Sequence, residues 1–315
     1  MNLVCLIGEQ PIPNLLPILH LKPQQVLLVH TGNELSSKAA RRLQKLCAQK
    51  QITVELLNVG DAYRLESLYD QLREKISGEP QTEWCFNLTG GTKLMSLAAA
   101  QAAADFNLPC VYYQTEAERG QKVGKLRHYR FDGQRRLVEH TQGGEILPPL
   151  LTLEDYLLAH HDGYHLKPPD RTQNGWQLEE AVYQVLRPQV DEILRNVQPE
   201  GVKDQVEIDL LIRIGNQVGV IEVKTGGEGS GKKAVDQLTT AAAREYLGTY
   251  AQRFIVTQQA QEDRYKALAN AVQVQVIELL KYRGGTRLDS SDQQKLLDAI
   301  QGKMPKPIAY GGIPK

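Results

Sequence analysis

Five short apolar runs in the first 114 residues are separated by stretches of helical composition, and this alternation constrains the chain more than any other feature. The runs are Leu3–Ile7, Gln25–His30, Ile52–Leu57, Trp84–Leu88 and Pro109–Gln114. Between them lie Ser36–Lys50, a segment capped by Asp61 and running through Ile76, and the alanine-rich Thr92–Phe106. Strands alternating with helices of about 12–15 residues predict a parallel sheet with helices on both faces. Residues 125–140 predict a β-hairpin turning at Asp132-Gly133.

A chain of 315 residues has room for roughly two domains. Residues 162–175 collect Pro, Gly, Asp and Asn, so the boundary is placed there: a first domain over 1–145, a linker over 146–174 and a second domain over 175–315. The second domain predicts a helix at about 176–187, strands at 205–214 and 217–224, a helix at about 234–247 and a strand at Arg253–Thr257. Basic and acidic residues number 37 each and balance on both sides of Asp170, which excludes a basic arm that grips nucleic acid by charge alone. No apolar stretch reaches the length of a membrane span, and the N-terminus reads as a first strand instead of a signal peptide. Cys5, Cys47, Cys85 and Cys110 form no CxxC pair, so they read as buried thiols of a reducing, cytoplasmic protein.

The segment from Val206 to Lys224 carries the most chemistry. Gly215-Asn216 reads as a two-residue hairpin turn, so paired positions sum to 431. Asp209 then lies opposite Glu222 and Glu207 opposite Lys224, all on one face, while Ile208, Leu210, Ile212, Ile221 and Val223 form a core face. Opposed carboxylates repel unless a cation lies between them, and Mg²⁺ or Mn²⁺ takes such oxygen ligands. Lys224 points to the same place, where an ammonium can orient water or stabilise phosphate charge. Upstream, Glu179 borders the apolar stripe of Leu178, Val182, Val185 and Leu186, and reaches the site from the side. The alternative reading is a solvated hairpin face with a Glu207–Lys224 pair.

A second informative segment is Asn87-Leu88-Thr89-Gly90-Gly91-Thr92-Lys93, at a strand end and a helix start. In a doubly wound sheet, ligands bind beyond the carboxyl ends of the strands. Glycines admit backbone amides close to a ligand, and the helix start offers free N–H groups to phosphate. Gly8-Glu9-Gln10 and Thr31-Gly32-Asn33 end the first two strands and line the same crevice. The alternative is an ordinary capped turn. The run Gly226–Lys233 has near P-loop spacing but carries Lys233 where a Mg²⁺-binding hydroxyl is required, so it reads as a loop beside the carboxylates. His160, His161 and His165 lack metal spacing and read as packing or surface residues, and Tyr183 and Tyr246 as packing.

Asp209, Glu222-Val223-Lys224 and Glu179 resemble the acidic position, the ExK and the helical glutamate of the PD-(D/E)XK nucleases, without the proline that names the motif. That resemblance implies metal ligation by Glu179, Asp209, Glu222 and the carbonyl of Val223, with Lys224 as a catalytic partner and Gln237 near the site. Asn87–Lys93 and Gly8–Asn14 resemble CARF domains, the Rossmann-like sensors of cyclic oligoadenylate in type III CRISPR defence, and in particular the CARF–PD-(D/E)XK effectors of the Card and Can type. The pair implies an α/β chain: a Rossmann-like CARF domain followed by a restriction-endonuclease-like domain. It further implies a homodimer binding cyclic tetra-adenylate across its two-fold axis, and a metal-dependent endonuclease that cuts or nicks DNA, with RNA as a further substrate. A nucleic-acid-binding regulator without cleavage and a nuclease not gated by ligand are the rival expectations.

Overall fold

The computed structural model describes residues 1–118, 121–172, 175–200, 207–225 and 247–306. Its contacts divide into two units: Met1–Leu151 with Leu158–His160, and Thr152–Leu157 with His161–Lys315.

The first unit is built on an eight-stranded sheet. Strands β1 (Asn2–Leu6), β2 (Gln25–His30), β3 (Thr53–Asn58), β4 (Trp84–Asn87), β5 (Cys110–Glu118), β6 (Gln121–Phe131) and β7 (Leu137–Glu139) lie in the order β3-β2-β1-β4-β5-β6-β7, with β8 (Glu145–Ile146) on β6. The first five strands pair in parallel, as the alternation predicts. Strand β6 runs antiparallel to β5 along a long hairpin, and β6 and β7 form the hairpin expected after Asp132. Helices α1 (Ile12–Leu21), α2 (Glu34–Gln49), α3 (Leu65–Ser77) and α4 (Lys93–Asp105) connect the parallel strands. Helix α2 starts where Asn33 accepts the Leu35 N–H, and it buries Ala39, Ala40, Leu43, Leu46 and Cys47. All four cysteines are buried and free, and burial pushes the thiols of Cys47, Cys85 and Cys110 up to about 12.

One local expectation changes. Asp61 does not cap α3: its Oδ1 accepts the Tyr63 N–H at 2.9 Å in a turn, and the helix begins after Arg64. Helix α1 forms despite Pro13 and Pro17. Pro13 sits in the first turn, where a missing N–H is harmless. Pro17 removes the N–H that the Pro13 carbonyl would accept, and Asn87 Nδ2 replaces it at 3.1 Å.

The second unit holds a six-stranded sheet in the order β14-β13-β12-β11-β10-β9. Its strands are β9 (Tyr164–Leu166), β10 (Glu192–Pro199), β11 (Ile208–Ile214), β12 (Gln217–Lys224), β13 (Gln252–Thr257) and β14 (Val274–Glu278). Strands β9 to β12 pair antiparallel, and β12 to β14 in parallel. Helices α6 (Trp176–Leu186), α7 (Asp263–Ala271) and α8 (Ser290–Lys303) belong to this unit. Leu178, Val182 and Leu186 of α6 pack with Leu210, Ile212, Ile221 and Phe254 of the sheet in one core. Residues 146–174, expected as a linker, hold part of β8, helix α5 (Leu153–His160) and edge strand β9. The helix expected at 234–247 lies outside the described residues except for Leu247, and Gly226–Lys233, Gln237 and Tyr246 lie outside them altogether.

Candidate functional site

The β11–β12 hairpin turns at Gly215, whose φ of 63° suits a tight turn. Its paired residues, from Ile214 opposite Gln217 to Leu210 opposite Ile221, obey the expected sum of 431. The expected division of faces is only half realised. Leu210, Ile212, Ile221 and Val223 enter the core, but Leu211, Val218 and Val220 on the other face are buried as well. The carboxylates Asp209 and Glu222 therefore stand at the end of the hairpin away from the turn, while Arg213 near the turn is paired with Asp191 and Glu192.

The ladder stops at Leu210–Ile221, and a side chain takes over there. Asp209 Oδ2 accepts the Val223 N–H at 2.6 Å. The N–H and C=O of one strand residue point to the same edge, so the Val223 carbonyl also faces the side of Asp209. Glu222 is 6% exposed, and its Oε1 lies 2.5 Å from Lys224 Nζ. Glu207 does not pair with Lys224. Its Oε2 takes Lys167 Nζ at 2.8 Å and Gln198 Nε2 at 3.2 Å, which links it to the β9–β10 edge.

The electrostatics converge on these groups. Burial, then the Glu222 carboxylate, hold Asp209 well above the usual carboxylate range. Burial also raises Glu222, against the pull of Lys224. Burial raises Glu179, in the first turn of α6, while Arg195 and Lys224 oppose it. Burial works against the Lys224 ammonium, but Glu222, Asp209 and Glu179 outweigh it and hold the pKa above the ordinary lysine value. Arg195 itself lies 4.5 Å over the Tyr183 ring and pairs with Glu180 at 2.6 Å.

Among the described residues, no group of three or more His, Cys, Asp or Glu side chains converges as a ready-made metal site. The donor set nevertheless suits a hard divalent ion. Two buried, mutually repelling carboxylates and a carbonyl edge need positive charge, and among the described residues the Lys224 ammonium engages Glu222 but not Asp209 by hydrogen bond. A direct consequence is that Asp209→Asn should stabilise the metal-free protein by about 1–2 kcal/mol, since it removes one charge while an amide oxygen still accepts the Val223 N–H. Thermal unfolding in EDTA measures this, and a lower midpoint would contradict the repulsion argument.

The loops of the first unit that the sequence marks as candidate ligand loops are stitched together at the strand ends. Gly90 packs against the Leu6 carbonyl and Asn14, and Gly8 lies against the Gly91 backbone, so close that a Cβ added at Gly8 would sit 3.5 Å from Gly91 N. Asn87 is fully buried. Its Nδ2 bonds Pro13 O and Asn14 Oδ1, and its Oδ1 accepts the Thr89 N–H and hydroxyl. Thr89 Oγ1 also accepts the Tyr113 N–H at 2.6 Å. Thr92 caps α4 by accepting the Met95 N–H at 3.2 Å, and Asn33 caps α2. Thr31 is buried, and its Oγ1 accepts the Asn33 N–H at 3.3 Å. The Gly32 N–H goes to the Gly60 carbonyl at 2.8 Å. Asn87, Thr89, Thr31 and Asn33 thus shape the loops with the very groups that could have met a ligand. Glu9 and Lys93 remain exposed at the rim, with Gln10 half-buried. Asn14, the last residue of the Gly8–Asn14 motif, and Ser36, which no motif includes, hold these loops from the first turns of α1 and α2. Ser36 accepts the Thr31 N–H and donates to the Ile7 carbonyl, tying the ends of β1 and β2. No sequence spacing marks Ser36.

The two α/β units define the class: a Rossmann-like domain with its loops gathered at the strand ends, and a mixed-sheet domain with an acidic hairpin end. Residues 2–138 match the family model of the Card1 CARF domain. The fold of the whole chain is similar to Can2 from Sulfobacillus thermosulfidooxidans, solved with cyclic tetra-adenylate, at TM-score 0.71 and 16% identity over 95% of this chain and 99% of that one. It is also similar to a Vibrio cholerae protein, at TM-score 0.67 and 13% identity over 95% of each chain. A type III CRISPR defence DNA nuclease activated by cyclic oligoadenylate matches at TM-score 0.64 and 18% identity, over 98% of this chain and 52% of that one. No curated protein sequence matches this chain. Among the described residues, no helix is long and apolar enough to cross a membrane.

Proposed function

We propose that this chain is a cyclic-oligoadenylate-gated, metal-dependent nuclease of type III CRISPR defence, with cyclic tetra-adenylate as activator and DNA, and secondarily RNA, as substrate. The observation that carries the reading is the hairpin end where Asp209, Glu222 and Lys224 meet, in a chain whose residues 2–138 match a CARF domain. Likeness to Can2 and to the DNA nuclease supports the same reading.

Asp209, Glu222 and the Val223 carbonyl would hold Mg²⁺ or Mn²⁺, with Glu179 approaching from α6. Such an ion polarises the scissile phosphate and makes water more acidic. Lys224 stays protonated beside Glu222, so it acts as a charge donor to phosphate oxygens and not as a base. In the first unit, the N-terminus of α4 and the exposed Lys93 suit the phosphates of a ring. Gly8 lies against the Gly91 backbone, and Glu9 and Gln10 follow it in the chain. A homodimer would present this crevice twice to a symmetric ligand.

The test is cleavage of supercoiled plasmid and of labelled single-stranded DNA and RNA, with Mg²⁺ or Mn²⁺, with and without cyclic tri-, tetra- and hexa-adenylate. Cleavage only with one ring supports the gated nuclease and identifies its activator. Cleavage without any ring removes the gating. Tight ring binding without cleavage of any substrate replaces the reading by that of a regulator that binds nucleic acid.

A further inference from the structure

A cavity of about 540 Å³ opens in the second unit, lined by Trp176, Gln177, Thr225, Gln258, Gln259 and Arg283 among others. That volume falls within the range of roughly 300–1,000 Å³ typical of small-molecule sites. Its position is set by two chain connections. Gly175, Trp176, Gln177 and Leu178 line it, and the next residue is Glu179. Thr225 lines it, and the preceding residue is Lys224. The cavity therefore adjoins the acidic hairpin end through two separate elements.

Its lining has the chemistry of a nucleotide site. Trp176 offers a half-buried indole in a wall otherwise made mainly of amides, hydroxyls and glycine. Arg283 is exposed, and its Nη1 donates to the carbonyls of Leu280 at 2.7 Å and Tyr282 at 3.2 Å. Those bonds fix the guanidinium, while its remaining donors have no carboxylate partner among the described residues. The loop that carries Arg283 is held in place as well. The Gly285 N–H donates to Gln177 Oε1 at 3.3 Å, and the Tyr282 hydroxyl to the Gly285 carbonyl at 2.6 Å. On the opposite wall, Gln258 Nε2 donates to the Thr225 carbonyl. An aromatic face and a fixed arginine without a carboxylate partner, in one polar cavity, suit a base and its phosphate. Among the described residues no carboxylate lines the cavity, so an anionic strand meets no repulsion from them.

We propose that this cavity seats one unpaired nucleotide next to the bond to be cut, with its base stacked on Trp176 and a phosphate paired to Arg283. The proposal rests on the nuclease reading for its position and deepens it: the site selects a single-stranded or locally opened substrate, because a base paired within a duplex cannot reach the indole.

The chain contains two tryptophans, and the other, Trp84, is 1% exposed in the first unit. Trp176 emission is therefore a direct reporter. The full chain is titrated, in EDTA and with cyclic tetra-adenylate present throughout, with a twelve-nucleotide single-stranded DNA, its RNA counterpart and the blunt DNA duplex. The expected result is quenching by the single strands and no quenching in Trp176→Phe, which keeps an aromatic ring and most of the affinity. Trp176→Ala should weaken single-strand binding about five- to a hundredfold and leave duplex binding within about twofold. Arg283→Ala should weaken binding to every sequence alike and reduce the salt slope by about one ion. Quenching by DNA alone or RNA alone supports the cavity and names its sugar. Unchanged single-strand binding in Trp176→Ala, or equal loss of single-strand and duplex binding, overturns the proposal, as does failure of the intact chain to bind any strand. Quenching through Trp176 in a protein that never cleaves would retain the cavity and remove the nuclease reading, whereas cleavage with no role for Trp176 would do the reverse.

Discussion

Glu222→Gln is expected to lower metal-dependent cleavage by more than about a hundredfold, the scale on which metal sites respond to loss of even an outer partner. The substitution keeps the shape of a side chain that is only 6% exposed, so it leaves no cavity. It removes the negative charge that Lys224 faces at 2.5 Å and one of the two opposed carboxylates. Binding of cyclic tetra-adenylate should be unchanged, because the loops proposed to hold the ring belong to the other unit. Cleavage rate and ring affinity, measured on the same preparation, check both statements. Retained cleavage would remove Glu222 from the site, and loss of both activities would argue that the two units do not divide sensing from cutting.

Gly90→Ala should have the largest effect on stability. A Cβ at this position would overlap the Leu6 carbonyl oxygen and lie 2.5 Å from Asn14 Nδ2, and backbone atoms of β1 cannot move aside cheaply. The cost is about 3 kcal/mol or more, an overpacking penalty set against a carbonyl. For a unit of this size it corresponds to a midpoint lower by about 6–12 °C. Scanning calorimetry should record the fall, and cyclic tetra-adenylate affinity should drop with it, since the same loop shapes the crevice. An unchanged midpoint would mean that the loop is not clamped between β1 and α1.

Both predictions depend on features with very different visibility in the sequence. The register of the acidic hairpin is readable because two neighbouring residues, Gly215 and Asn216, fix a turn, and a turn fixes every pair that follows. The alternation of strands and helices is readable for a similar reason, since each period is written within a few residues. Helix α1 is not readable. Pro13 and Pro17 speak against a helix locally, and the amide that compensates for Pro17 comes from Asn87, which bonds a carbonyl seventy-four positions away. The partner of Glu207 is hidden in the same way: hairpin geometry puts Lys224 opposite, but Lys167, from the edge beside β9, reaches it instead.

By itself, the sequence determined the parallel α/β frame of the first unit, the pairing that places Asp209 and Glu222 at one end of β11 and β12, and the glycine-rich turn before α4. These follow from periodicity and turn chemistry, which act between near neighbours. Only the tertiary structure decided which polar groups are still available for function. It engaged Asn87, Thr89, Thr31 and Asn33 in holding the loops, and left Lys93 exposed at the rim. It ended the β11–β12 ladder on the Asp209 carboxylate, and it gathered Trp176, Thr225 and Arg283 around one cavity. A buried donor or acceptor must find a partner wherever the fold supplies one, and those partners lie tens of residues apart in the chain.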